Sequence, residues 1–513
     1  MKKKLLPLVL SSMLAVTPAI SLAESPLFNP EDKTTFTLHV DWTWAPNDTF
    51  AGGICQEYME QETGITIDMN KTSDSEQLNL MIAAGVDSLP DLVACSNAVK
   101  VAALSDSDLC WPLQELIDKY IPEWEIPEVE KKINAYFSED GQYYMLKNEF
   151  NTAEEIKASK NLGLNFGQFY LRNDLYKQLG SPAIKTKEDF FNLMDMVKEK
   201  FPDIQPLVFN PREYSAFGSL VGFDVGRPTD EEGHLVMAIS DPTYREMLRV
   251  MNELYRKGCL LEENFSYTSD EQTFQNWYAG KVFLITHFAG NEDPKYTARI
   301  QAAVPGAESL SLPLLDNWKY TMPVSGWSSL FITKNCSDPE KAIKMLYWAK
   351  QPENQIALDY GVPGTDWEYD ADGNIVLKQR FLDAVVSGKK KEIYKPMAFQ
   401  LSANDYISVY KGFYAEASEH VRAIYDDANS CVTISNAIDL AYPAAGTDLR
   451  FMYDDIQTLI EESVSKICTA QSNEEFDAMY DELVAEAEAI GLKEVNEYLT
   501  KTYIDVCAIL GSE

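Results

Sequence analysis

The chain has 513 residues, of which 45% are hydrophobic, 12% aromatic and 24% charged. At roughly 100–200 residues per domain, this length predicts two large domains, and the ordinary globular composition excludes a disordered chain. The formal net charge of −36 repels nucleic acid and anionic lipid, so neither is expected as a partner.

The first residues have the composition of an export signal. Lys2, Lys3 and Lys4 precede a short apolar stretch, and small residues end at Ala23. This pattern predicts a signal peptide over residues 1–23 that is cleaved after Ala23. A membrane anchor would need about 20 apolar residues. No cysteine lies near the cut, so we expect an exported protein, periplasmic or extracellular, without a lipid anchor.

The cysteines leave two readings open. None of them forms a C-x-x-C pair, so a zinc or redox motif is not supported. Export permits disulfides, and the wide spacing and apolar neighbours fit buried free thiols as well. The eight cysteines are Cys55, Cys95, Cys110, Cys259, Cys336, Cys431, Cys468 and Cys507.

The first part of the mature chain, up to about residue 94, alternates strand and helix patterns. Period-two hydrophobicity and short apolar runs indicate strands, and glycines such as Gly64 mark helix ends. In chain order we predict a strand at 35–42, a helix at 54–63, a strand at 65–69, a helix at 77–84 and a strand at 92–94. This order requires parallel pairing with helices on the faces of the sheet, and therefore an α/β lobe.

The same alternation continues further along the chain. Thr186 and Asp189 form a pair similar to a capping box at the start of one helix. From 381 to 510 the sequence is mostly helical, with a break near Pro443 and Gly446. The predicted strands are 169–171, 207–209, 282–286 and 329–333, and the predicted helices are 172–179, 187–200, 241–257 and 339–350.

Seven segments, in order along the chain, carry a family pattern. They are 78–92 (LNLMIAAGVDSLPDL), 170–180 (YLRNDLYKQLG), 245–265, 276–283 (NWYAGKVF), 326–348, 360–364 (YGVPG) and 474–503. Together they resemble the family 1 extracellular solute-binding proteins, in particular the subgroup that carries oligosaccharides.

The resemblance implies a type II periplasmic-binding-protein fold: two α/β lobes joined by a hinge, a ligand cleft between them and a helical C-terminal region. It implies lobe 1 at 24–171 and 287–330, and lobe 2 at 172–286 and 331–513. It also implies a monomer that hands a small ligand, an oligosaccharide, to the permease subunits of an ABC transporter. Some relatives bind calcium after the helix matched by 187–200, but the sequence there is only Phe201-Pro202-Asp203-Ile204, so no metal or cofactor is expected.

A sugar site needs aromatic platforms and planar hydrogen-bonding groups. Such side chains follow or precede the predicted strands, where open α/β sheets place ligands. The candidate ligand-binding residues are Trp42, Trp44, Asn97, Arg172, Arg212, Tyr214, His287, Asn291, Trp327, Asp366 and Trp367.

Each candidate also has a structural reading. A tryptophan near a strand end can belong to the core, Arg172 can pair with Asp174, His287 can be a structural histidine, and asparagines often form loop turns. Arg172 and Arg212 hint at an acidic sugar. The run from Glu368 to Gly373 imitates the start of a calcium loop, but a hairpin turn explains the same residues.

Three functional alternatives remain open. No G-x-S-x-G, P-loop or H-E-x-x-H motif is present, so no catalytic residue is predicted. Nevertheless, a pair among the 80 acidic residues could cleave glycans, as in a secreted lyase or hydrolase. The chain could also be a ligand sensor for a signalling receptor, or its ligand could be a peptide.

Overall fold

A computed structural model describes residues 27–45, 48–74, 76–135, 138–267, 269–290, 293–444 and 447–510, without the side chains of Pro211 and Arg212. The predicted signal peptide lies outside these residues. Thirteen strands occur in the described ranges: β1 (Thr34–Val40), β2 (Ile65–Lys71), β3 (Leu92–Cys95), β4 (Met145–Lys147), β5 (Gly167–Arg172), β6 (Gln205–Val208), β7 (Val282–Phe288), β8 (Ser309–Ser311), β9 (Thr321–Pro323), β10 (Ser329–Ile332), β11 (Trp367–Tyr369), β12 (Ile375–Leu377) and β13 (Thr433–Ser435).

Helices fill most of the remaining described chain, and none of those described is long and apolar enough to cross a bilayer. The α-helices are Ile54–Thr63, Gln77–Ala84, Ala98–Leu104, Leu113–Tyr120, Glu128–Ala135, Ala153–Ala158, Asn173–Gln178, Lys187–Lys200, Pro242–Arg256, Asp270–Tyr278, Asp293–Gln301, Pro339–Ala349, Pro352–Tyr360, Gln379–Val386, Lys390–Tyr394, Tyr406–Glu416, Glu419–Cys431, Asp448–Cys468, Asn473–Ile490 and Leu492–Leu510.

Local sequence signals account for the helix ends. The helix Ile54–Thr63 ends at Gly64, whose φ of 73° is the left-handed conformation that glycine adopts without steric cost. At the start of Lys187–Lys200, the Thr186 side chain accepts from the Asp189 amide while the Asp189 carboxylate accepts from the Thr186 amide. Both features confirm the sequence predictions.

The first sheet has five strands in the order β2-β1-β3-β10-β4. The strands β2, β1 and β3 pair in parallel, as the predicted β-α-β-α-β order requires. The strand β10, far along the chain, inserts antiparallel between β3 and β4. This sheet and the helices that pack against it in two hydrophobic clusters form the first lobe.

The second sheet has four strands in the order β6-β7-β5-β8. The strands β6 and β7 pair in parallel, and β5 pairs antiparallel with β7 and β8. The core of this second lobe also takes in the C-terminal helices, through side chains such as Ile456, Phe476 and Val495. A third cluster, which includes Phe166, Val324 and Tyr406, is formed by segments that run between the two sheets.

The lobe boundaries predicted after residue 286 are wrong. Strand β8 belongs to the second sheet, although 287–330 was expected in the first lobe. Strand β10 lies in the first sheet, and Ile343, Ile356 and Phe381 pack in the first core, although 331–513 was expected in the second lobe. The core of the first lobe extends along the chain as far as Ala403, because the helices between β10 and this residue pack against the first sheet and its helices.

All eight cysteines lie in described residues and are free thiols. Six are buried, Cys431 is exposed and Cys507 is partly exposed. Burial raises the pKa of thiols such as Cys95, to about 12, which keeps them protonated and unreactive. Of the two hypotheses, disulfides or buried free thiols, the structure supports free thiols.

Candidate functional site

Several strand ends of the first lobe meet at one edge of the sheet. The parallel strands β1 and β3 both end there, and the antiparallel strand β10 begins there, since Ser329 is paired with Cys95. Residues that follow β1, follow β3 or precede β10 are therefore brought together. This is the edge at which open α/β sheets place their ligands.

Four aromatic rings pack against one another at this edge: Trp42, Trp44, Trp327 and Phe399, which we call the aromatic cluster. Trp327 stacks on Phe399 with ring centroids 5.3 Å apart and meets Trp42 edge-on at 5.3 Å. Trp44 lies 5.9 Å from Trp42 and 5.5 Å from Trp327.

Exposure within the aromatic cluster is uneven. Trp42 is buried, whereas Trp44 is 57% and Trp327 41% exposed. Exposed indoles packed against the buried Trp42 and the partly buried Phe399 offer flat apolar faces at the sheet edge. The structure thus brings together three of the candidate ligand-binding residues, Trp42, Trp44 and Trp327; their contact with a ligand stays a prediction. Sequence reasoning missed Phe399, which lies in a turn far along the chain where no local pattern marks it.

Asn97 reaches the same edge but acts as a helix cap. Its side-chain oxygen accepts from the backbone amides of Val99 (3.0 Å) and Lys100 (3.2 Å) at the start of Ala98–Leu104. This is the usual role of asparagine at a helix N-terminus. Its oxygen is therefore engaged within the protein.

Arg172 is engaged by protein groups. Its guanidinium binds the Asp174 carboxylate through two hydrogen bonds of 2.8 and 2.7 Å and donates to the Gly280 carbonyl at 3.0 Å. The residue is buried, and the guanidinium holds the pKa of Asp174 below its usual value against the opposing effect of burial. Arg172 therefore forms a salt bridge with Asp174, which was the structural alternative to ligand binding. It gives no support to an acidic ligand.

The other candidates of the second lobe do not form a site in the described structure. Tyr214 packs against the second core, and this burial raises the pKa of its hydroxyl. His287 shares a 2.8 Å hydrogen bond with the Tyr296 hydroxyl and packs edge-on against Phe274. The side chain of Arg212 and the whole of Asn291 lie outside the described residues.

Asp366 and Trp367 lie in the interior of the first lobe, so the prediction that they contact the ligand is not supported. Asp366 is fully buried; its carboxylate accepts from both sides of the Arg380 guanidinium and from the Tyr394 hydroxyl at 2.7 Å. Trp367 is buried and donates to the Gly361 carbonyl at 2.9 Å.

The run that imitates a calcium loop is a hairpin turn. The Asp370 carboxylate accepts from the amides of Asp372 (2.9 Å) and Asn374 (2.8 Å), and the flanking strands β11 and β12 pair antiparallel. Within the described residues, no group of three acidic, histidine or cysteine side chains is placed to hold a metal ion.

A cavity of about 640 Å³ opens where the two lobes face each other. Its first-lobe wall includes Ala98 and Ala102. Its other wall includes Tyr442 and, from the helix Asp448–Cys468, Arg450 and Tyr453; both tyrosines pack against the second core. The rings of Tyr442 and Tyr453 meet edge-on at 5.6 Å. Because Ala98 follows β3, the cavity begins at the same sheet edge as the aromatic cluster. None of the second-lobe residues that line it was among the candidates predicted from the sequence.

Comparison with known proteins gives a family and a fold. The sequence profile of the family described as bacterial extracellular solute-binding protein matches residues 43–356. The lipoprotein LipO of Bacillus subtilis (strain 168) is 24% identical over 345 residues, which are 60% of this chain and 63% of that protein. The chain thus spans less than two thirds of this curated relative.

Solved structures resemble nearly the whole chain. The alginate-binding protein AlgQ2 without calcium ion has a TM-score of 0.66 at 17% identity, over 94% of this chain and 100% of that one. An EF-hand mutant of the Streptococcus pneumoniae ABC-transporter substrate-binding protein FusA, in complex with fructo-nystose, has a TM-score of 0.64 at 18% identity, over 93% of this chain and 100% of that one. An HMO-binding, ABC-transporter-associated solute-binding protein of Bifidobacterium longum infantis has a TM-score of 0.62 at 13% identity, over 93% of this chain and 99% of that one. At these identities the likeness establishes the fold, and the predicted two-lobed α/β class is confirmed.

Proposed function

Because the chain belongs to the bacterial extracellular solute-binding protein family, we propose that it captures an oligosaccharide between its lobes and delivers it to an ABC importer. The observation that carries this proposal is the aromatic cluster, in which Trp44 and Trp327 present exposed indole faces at the ligand edge of the first sheet. Sugars bind such faces through their apolar C–H surfaces.

The similar structures support the class of ligand. They include an alginate-binding protein, a substrate-binding protein in complex with fructo-nystose and an HMO-binding protein. These ligands differ in charge and linkage but are all glycans. We therefore propose an oligosaccharide for this chain, in preference to a peptide.

Closure of the lobes provides the mechanism of capture. The cavity has one wall on each lobe, so a ligand that touches both walls binds the closed arrangement more tightly than the open one. Such a ligand shifts the population toward closure. We propose that the transporter's permease subunits recognise this closed monomer outside the cytoplasm.

The proposal is tested by titration calorimetry of the mature protein against maltotriose, 1-kestose, mannotriose, xylotriose, chitotriose and an alginate trisaccharide. Binding to at least one, with quenching of tryptophan fluorescence, is the expected result. Absence of binding to every glycan would refute the sugar assignment.

A reducing-end assay on the same mixtures separates a receptor from a glycan-degrading enzyme, because a receptor releases no product. Uptake of the labelled sugar by cells with and without the gene separates import from signalling. We expect no product, and uptake that depends on the gene.

A further inference from the structure

A set of uncharged, buried polar side chains adjoins the aromatic cluster; we call Asn148, Ser328, Gln400, Ser402 and Asn404 the polar layer. Each is at most 2% exposed. Ser328 directly follows Trp327 and Gln400 directly follows Phe399. The Ser328 amide donates to the Asn148 side-chain oxygen at 2.7 Å, and the Glu149 amide donates to the Asn404 carbonyl at 2.9 Å, so these segments lie side by side.

The polar layer contains a concentration of unused hydrogen-bonding atoms. Six of its buried atoms have no hydrogen-bond partner among the described residues: Asn148 Nδ2, Ser328 Oγ, Gln400 Oε1, Gln400 Nε2, Ser402 Oγ and Asn404 Oδ1. Buried polar groups in folded proteins nearly always have partners. Other unpartnered buried atoms are scattered over the described chain, but six of them fall in these adjoining segments, which points to a bound group that supplies the missing hydrogen bonds.

Gln56 in the same lobe shows the ordinary arrangement. It is also buried, but its Nε2 donates to the Ile65 carbonyl at 3.1 Å and its Oε1 accepts from the Ile67 amide at 3.0 Å. Unused amide atoms are therefore not a general property of buried glutamines in this protein.

The backbone of the polar layer is strained. Ser402 has a φ of 46° and Glu149, beside Asn148, a φ of 49°. Non-glycine residues rarely adopt this left-handed conformation, and where they do the position is often part of a functional site. Two such residues in adjoining segments fit a site that is shaped at the expense of local stability.

We propose that the polar layer is a hydroxyl-binding subsite, which receives one neutral sugar unit when the Trp327 and Phe399 rings separate. This inference rests on the proposed function and specifies its substrate class. The unused atoms include donors (Asn148 Nδ2, Gln400 Nε2), acceptors (Gln400 Oε1, Asn404 Oδ1) and hydroxyls that are both. A sugar hydroxyl both donates and accepts, which matches this mixture. None of the five side chains carries a positive charge to pair with the carboxylate of a uronic acid, so a neutral unit fits better.

The decisive comparison is Gln400→Met against Gln56→Met, two substitutions of similar volume at buried glutamines of one lobe. The probe is whichever neutral trisaccharide of the panel binds the wild type most tightly. We expect Gln400→Met to weaken its binding at least tenfold without lowering Tm, because the lost amide had no protein partner. Gln56→Met should lower Tm and leave the affinity unchanged.

Ordered water could supply the same hydroxyl chemistry, and the titrations distinguish the two sources. If Gln400→Met binds the probe within twofold of the wild type, the layer holds only water; the subsite is then refuted while the proposed function stands. Preference of the wild type for the alginate trisaccharide over every neutral sugar also refutes it. If the wild type binds none of the sugars, the proposed function itself fails. Should Gln400→Met not fold, Ser402→Ala provides the same test, with an expected loss of at least threefold.

Discussion

Replacement of Trp44 by alanine tests the aromatic cluster with least disturbance to the fold. Trp44 is 57% exposed, so of the roughly 200 Å² of an indole side chain about 110 Å² is left for a sugar to cover. At about 25 cal/mol per Å², covering all of it contributes about 3 kcal/mol, and covering one face about half of that. We therefore expect Trp44→Ala to weaken binding about tenfold.

The same arithmetic bounds the cost to stability. The buried part of the ring, packed on Trp42, Trp327 and Phe399, contributes about 2 kcal/mol to the free energy of unfolding. Calorimetry with the best-binding trisaccharide and urea unfolding measure the two effects separately. Trp124→Ala, at a half-buried indole 5.4 Å from Tyr347, is the control and should lower stability only. If Trp44→Ala bound the trisaccharide as tightly as the wild type, the proposed stacking of sugar on the aromatic cluster would be refuted.

Three further results follow from the structure. Asp366→Asn should lower the free energy of unfolding by about 2 kcal/mol in urea, because it removes the charge of a buried carboxylate that binds Arg380 and Tyr394, but leave sugar affinity unchanged; a loss of affinity would show that Asp366 contributes to the binding site after all. Burial raises the pKa of Glu149 to about 7, so the folded state holds its proton more tightly than the unfolded state. Unfolding free energy should therefore rise as pH falls from about 7.5 to 5.5, and Glu149→Gln should reduce this slope; an unchanged slope would contradict the assignment. EDTA should leave Tm and sugar binding unchanged, because Asp370 is bonded within its own turn; a drop in either would point to a bound metal.

Local signals were sufficient to predict the parts of the fold that depend on neighbouring residues. The sequence predicts the bounds of the helix Lys187–Lys200 correctly, because the residues that cap it and the residues of its apolar face are close together along the chain. The parallel order of β1, β2 and β3 followed from alternating patterns joined by short connections. Where the evidence lies close along the chain, sequence reasoning and structure agree.

Pairings between distant segments could not be predicted in this way. Strand β10 enters the first sheet next to β3, more than 200 residues earlier, and nothing in its four residues indicates which sheet it joins. Asp366 lies in a polar, glycine-containing stretch typical of a loop, yet Arg380 and Tyr394 bury its carboxylate. Loop composition therefore gave the wrong exposure, because the partners that decide it come from other helices.

The distribution of the site between the lobes determines what ligand binding can do. The aromatic cluster belongs to the first lobe, whereas Tyr442, Arg450 and Tyr453 face the cavity from the second. By contrast, two side chains that the sequence predicts as ligand contacts from the second lobe form hydrogen bonds within the protein: Arg172 with Asp174, and His287 with Tyr296. A sugar held by the first lobe alone would give no differential affinity for the closed state, and so no closure. Under the proposed capture by lobe closure, the second-lobe wall has to supply the free energy that couples binding to closure. Substitution of Tyr453 should then reduce closure, measured by small-angle scattering, more than it reduces sugar stacking on Trp44.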